Sequence, residues 1–133
     1  MKKEKMIITE SKPYEEIRKQ LKKSDKIGVV SCGSCAKICG TGGEKAMKKL
    51  ALNLQKDGFK VVDMDLIGVP CNIAQLEKAQ FHGNVSVVLA CDAGVENLRH
   101  VLDKNHKIIG ALESIGVGRV DKKGKPHLVR KFK

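Results

Sequence analysis

The chain has 133 residues, 41% of them hydrophobic, with five Cys, no Trp and a formal charge of +11. That length suits one domain around one core, and no apolar run approaches the roughly 18 residues a membrane-spanning helix needs, so no membrane association is expected. The charge excludes less than it first suggests: residues 27–118 hold 10 Lys/Arg against 9 Asp/Glu, and the basic excess sits in the flanks 1–26 and 119–133.

Those flanks divide the chain into a basic N-terminal helical extension (1–26), an α/β cysteine-cluster domain (27–118) and a basic C-terminal tail (119–133). With one Tyr and three Phe there is little on which to stack bases, so nucleic acid is not an expected partner. An acidic protein partner fits the basic ends better. The opening Met1-Lys2-Lys3-Glu4-Lys5-Met6-Ile7-Ile8 has no apolar stretch or small-residue cleavage site of the secretory kind, and a cytoplasmic location is expected.

In chain order, Lys12-Pro13-Tyr14 opens a short helix whose Tyr14, Ile17 and Leu21 share one face, with Pro in the first turn where its missing N–H costs nothing. Ile27 to Val30 is a short apolar run, a buried strand. A helix follows from about Gly42 to Lys56, with Ala46, Met47, Leu50, Ala51 and Leu54 inward and lysines opposite; Asp57-Gly58 ends it. Phe59 to Met64 is the next strand, and Pro70-Cys71-Asn72 introduces a helix carrying Ile73, Leu76 and Ala79. Val85 to Ala90 is apolar on both faces, as central parallel strands are. Asp92 leads into a helix with Val95, Leu98, Val101 and Leu102, and Lys107 to Ala111 is a fourth strand. Lys122-Lys123-Gly124-Lys125-Pro126 is a turn or an open linker. Strand and helix alternate, which predicts a single-domain α/β fold, an open and mostly parallel sheet with helices on both faces, flavodoxin-like.

Right-handed crossovers place every strand-to-helix loop at one edge of such a sheet. All five cysteines occupy those loops: Cys32, Cys35 and Cys39 after the first strand, Cys71 before the third helix, and Cys91 directly after the strongest strand. That is the edge where open α/β sheets bind ligands. In a reducing compartment cysteines more often bind metal or do redox chemistry than form disulfides. Three helix starts are expected to face them, capped by Thr41 with Glu44, by Asn72 with Gln75, and by Asp92; their free N–H groups would lower thiolate pKa values.

All-thiolate donors from separate glycine-containing loops suit an iron–sulfur cluster. Structural zinc favours paired knuckles with short spacings and stands as the alternative cofactor, in an interaction domain. Cys32-Gly33-Ser34-Cys35 read as a dithiol pair gives a third possibility, a thiol–disulfide oxidoreductase. His82, His100, His106 and His127 lie outside the cysteine loops, and no His/carboxylate pair accompanies the cysteines, so no catalytic residue is assigned. Gly40-Thr41-Gly42-Gly43-Glu44 could cradle phosphate, but it lacks the Gly-Lys-Ser/Thr ending of a P-loop.

The run Cys-Gly-Ser-Cys-Ala-Lys-Ile-Cys (32–39) followed by Gly42-Gly43-Glu44-Lys45, the lone Cys71, and Leu89-Ala90-Cys91-Asp92-Ala93-Gly94-Val95 resemble the N-terminal domain of the small, MetV-like partner subunit of methylenetetrahydrofolate reductase from acetogenic and related anaerobes. Met6 to Pro13 is also similar, so the likeness covers most of residues 6–118. A looser similarity runs to the iron–sulfur delta subunit of methyl-viologen-reducing hydrogenase. The resemblance implies a non-catalytic oxidoreductase subunit of one-carbon metabolism with a [4Fe-4S] cluster. Its ligands would come from Cys32, Cys35, Cys39, Cys71 and Cys91, four of which suffice, and its partner would be a catalytic flavoprotein reductase subunit or another electron-transfer protein. The family pattern continues into a cysteine-rich zinc-binding module, whereas residues 119–133 contain no cysteine.

Overall fold

Four strands rich in Val and Ile form a parallel sheet: β2 (Lys26–Cys32), β3 (Lys60–Ile67), β4 (Val85–Leu89) and β5 (Lys107–Gly110), in the order β3-β2-β4-β5. They belong to a computed structural model that describes residues 5–32, 39–67, 83–102 and 105–132. The two central strands are the most apolar. β4 is buried along its whole length, and Ile27, Val29, Val30, Val85, Val87 and Val88 are each at most 1% exposed. A strand covered on both faces must be apolar on both, which is why 85–89 is so readable.

Helices α1 (Tyr14–Arg18), α2 (Gly43–Lys56) and α3 (Asp92–Val101) accompany the sheet. The stripe expected for α2 is the one it buries: Met47, Leu50, Ala51 and Leu54. α3 buries Val95 and Leu98. Val88 and Gly110 are register partners, and a side chain added at Gly110 would meet Val95 at 3.6 Å, so α3 lies on their face. Leu89 and Ala111 point to the other face by alternation, and they share a cavity wall with Leu50 of α2. The helices therefore cover both faces. The helix expected after Cys71 lies outside the described residues.

α1 is shorter than its apolar spacing predicts, ending at Arg18, yet Ile17 and Leu21 are both buried. It is tied to the C-terminal end of α2 by Tyr14, whose hydroxyl donates to Asp57 Oδ2 at 2.5 Å and lies 3.2 Å from Asn53 O. Burial, then the bond to the Asp57 carboxylate, push the Tyr14 pKa up to about 12. Among the described residues no helix is long and apolar enough to cross a membrane.

A second sheet was not expected. β1 (Lys5–Ser11), β6 (Leu112–Val120) and β7 (Pro126–Lys131) form an antiparallel sheet in the order β1-β6-β7. The N-terminal segment is thus a strand followed by one short helix, not a helical extension, and the C-terminal segment is the outer arm of a hairpin, not a free tail. The reason is continuity. β5 passes through Ala111 straight into β6, and Ala111 both donates to Val88 O at 2.8 Å and accepts from Lys12 N at 2.9 Å. β6 leaves the parallel sheet at the rim where β2 and β4 end, and its free edges recruit β1 and β7. The turn expected at 122–126 closes the hairpin: Asp121 Oδ1 accepts from Lys123 N and Lys125 N at 2.8 and 2.9 Å, and Gly124 supplies the left-handed residue at φ +81°.

Candidate metal centre

Strand order decides where a ligand can sit. Counted along the parallel sheet alone, the order is second-first-third-fourth, so the chain reverses direction of growth between β2 and β4. Beyond the carboxyl ends of those two strands lies the crevice that open α/β sheets use for binding. Ser31 of β2 pairs with Leu89 of β4. Cys32 is the next residue on one strand, and Cys91 is two residues on along the other. On the opposite side Cys32 pairs with Ile67, the last residue of β3, and Cys71 follows Ile67 by four residues in sequence.

Cys91 is a free, buried thiol, 9% exposed. It caps α3: its backbone is extended at φ −68° and ψ 170°, and its carbonyl accepts the first helical bond from Val95 N at 3.1 Å. Sequence reasoning assigned this cap to Asp92, which is instead the first helical residue. The Asp92 N–H donates to Ser114 Oγ of β6 at 3.1 Å, so a neighbouring strand does part of the capping. Cys91 therefore stands at the N-terminus of α3, although its side chain makes no capping bond to the helix.

Cys39 is a free thiol, half-buried, whose Sγ lies 3.8 Å from the Ile7 carbonyl of β1. The loop then runs into α2, and the expected capping box of Thr41 with Glu44 is not formed. The N-cap is Gly42, with no side-chain bond to the helix. Thr41 Oγ1 lies 2.6 Å from Thr9 Oγ1 of β1, and Glu44 pairs with Lys48 at 2.8 Å. Gly43 has φ +88°, a left-handed conformation for which glycine is required. The Gly43 N–H donates to Ser31 Oγ, a buried bond of 2.7 Å.

Of the five predicted ligands, the structure sets the backbone of Cys32 and the thiol of Cys91 at the ends of the two central strands, and brings Cys39 against β1. Cys35 and Cys71 lie outside the described residues. Among the described residues no three His, Cys, Asp or Glu side chains form a metal-binding group. The donors that are described fit a thiolate centre in kind: buried or half-buried free sulfur, near a helix start. His106 is tied elsewhere, 2.7 Å from Ser86 Oγ, and His127 pairs with Asp121 at 2.7 Å.

Sequence reasoning missed three contributors: Ser31 as the acceptor for α2, and Thr9 and Ser114 as the residues that hold the two helix starts. Thr9 and Ser114 carried no signal, because β1 and β6 were not recognised as partners. Comparison with protein-family models, curated proteins and solved structures returns no match for this chain.

Proposed function

We propose that this chain binds an iron–sulfur cluster of the [4Fe-4S] type and serves as an electron-transfer or accessory subunit to a flavoenzyme. The methylenetetrahydrofolate reductase small subunit is the resemblance behind that choice. The observation that supports it most is the register Ser31–Leu89, which brings Cys32 and Cys91 to neighbouring strand ends at the topological reversal. Candidate ligands are Cys32, Cys35, Cys39, Cys71 and Cys91. A cluster held there supplies one-electron transfer. The chain's own part would be to offset its negative charge with the amides at the α3 start. The strand order also supports a flavodoxin-like single-domain plan, and a cytoplasmic setting suits reduced, unpaired thiols. The partner in this reading is a catalytic flavoprotein subunit with an acidic docking face.

Anaerobic purification followed by iron, acid-labile sulfide and zinc analysis tests this. The expected result is brown protein with iron and sulfide in equal amounts, and loss of both in Cys91→Ala. Colourless protein holding one tight zinc would overturn the reading in favour of a zinc-binding interaction domain. Metal-free protein with a titratable Cys32/Cys35 dithiol would favour a thiol–disulfide oxidoreductase.

A further inference from the structure

Beside the cysteine rim, on the α2 face of the parallel sheet, lies a cavity of about 830 Å³, within the size range of small-molecule sites. Its floor is apolar, made by Ile17, Leu50, Leu89 and Ala111. It follows α2 from Gly43 to Asn53, about 15 Å of helix. The two ends differ in chemistry. At the rim end Lys45 lines the cavity, and Lys49 follows one turn along on the same side. Both are exposed, and among the described residues neither has an ion-pair partner. Glu44 also lines this end, but its charge is met by Lys48 at 2.8 Å. At the far end stands Tyr14, its hydroxyl tied to Asp57 so that the ring is held in place on the cavity wall.

We propose that this cavity binds a small phosphorylated ring compound of mononucleotide size, phosphate toward Lys45 and Lys49 and ring toward Tyr14. The apolar floor is wasted on an inorganic anion, and a neutral apolar ligand would leave two lysines at i, i+4 facing one another without a counter-charge. A ligand with an anionic head and a flat body uses both ends: the lysines bind the phosphate as point charges, and the fixed aromatic ring stacks on the ligand ring. The site stands independently of the metal reading, since it invokes none of the five cysteines.

The test is equilibrium binding to the full chain by calorimetry, with four probes: flavin mononucleotide, adenosine monophosphate, and the phosphate-free riboflavin and adenosine. At least one monophosphate is expected to bind with a Kd of about 100 μM or tighter, and its phosphate-free counterpart about tenfold more weakly. Lys45→Ala/Lys49→Ala should erase that tenfold preference. Both positions are exposed on a helix, where alanine is well tolerated, so a folding defect is not expected and circular dichroism verifies it. Lys56→Ala, exposed on the same helix but outside the cavity lining, should keep the preference. Failure of both monophosphates to bind below about 1 mM would overturn the proposal, as would binding that ignores the phosphate or the double substitution. The metal analysis described above is unaffected by either outcome.

Discussion

Ser31→Ala removes the contact that anchors α2 at the cysteine rim. Ser31 is fully buried at 0% exposure, and its Oγ accepts the Gly43 N–H at 2.7 Å. The first four amides of a helix have no partner inside it, and Gly42, the N-cap, offers no side-chain acceptor. A strand residue therefore does what a cap would do. Alanine fits the space without clash, so the substitution removes the acceptor and leaves a buried N–H unsatisfied, a loss of about 1–3 kcal/mol. With a urea slope of about 1.5 kcal/mol per molar, the unfolding midpoint should fall by about 0.7–2 M at unchanged slope. The chain has no Trp, so far-ultraviolet circular dichroism is the signal of choice. A midpoint within about 0.2 M of the parent would show that Gly43 finds another acceptor at no cost, and would refute strand-to-helix capping as the anchor.

Leu54→Ala empties a site of 0% exposure under α2 and should cost about 2–5 kcal/mol in the same urea experiment. Tyr14 is the only tyrosine, so its ultraviolet ionisation signal is unambiguous: the midpoint should lie near 12, and a midpoint at the ordinary value would show that Tyr14 is neither buried nor bound to Asp57. Because that pKa is raised on folding, the associated stability is fully present below the unfolded value of 10 and is lost as pH climbs through about 12. The Asp121 carboxyl is held below its ordinary 3.8 by the His127 hydrogen bond, then by the Lys125 and Lys123 amides. Its support of the β6–β7 turn is present above 3.8 and is lost as pH falls through the lowered value, so amide chemical shifts around Gly124 should hold at pH 5 and move only once the pH is taken below 3.8. Shifts that stay constant across that range would remove Asp121 from the turn.

The parallel half of the fold was legible because its physics is local. Strands buried on both faces need unbroken apolar runs, and Ile27–Val30 and Val85–Ala90 have them; α2 needs a stripe at 3.6-residue spacing, and Met47, Leu50, Ala51 and Leu54 provide it. The antiparallel half was not. β6 carries Gly116 and Gly118 and alternates poorly, since close approach to a neighbour, not side-chain alternation, dictates those positions. A side chain at Gly118 would fall 2.4 Å from both Ile8 Cδ1 and the His127 carbonyl oxygen. β7 is exposed except at Pro126, so it has no buried face to betray it. Its one readable sign was Asp121 with Gly124, a turn chemistry that joins two strands as readily as it ends one. The location of Cys32 and Cys91 followed from topology alone. The residues that brace the loops around them followed from pairing across more than a hundred residues, which no local pattern encodes.

That pairing changes what builds the rim. Thr9 and Ser114 are direct partners in the β1–β6 ladder, and partners in a ladder project to the same face. One of them meets Thr41, two residues before α2, and the other accepts from the first residue of α3. A single rung thus touches the approaches to both helix starts. Each helix start carries partial positive charge and unsatisfied amides, so nothing in the two helices themselves holds them at a fixed separation. The rung is one tie between them, beside the Ser31–Gly43 bond, and the Ile7 carbonyl receives the Cys39 thiol on the same strand. Groups that must converge on one ligand tolerate displacements of only about 0.5 Å. The strands at 5–11 and 112–120 therefore belong to the construction of the cysteine rim as much as β2 and β4 do, although neither contributes a cysteine.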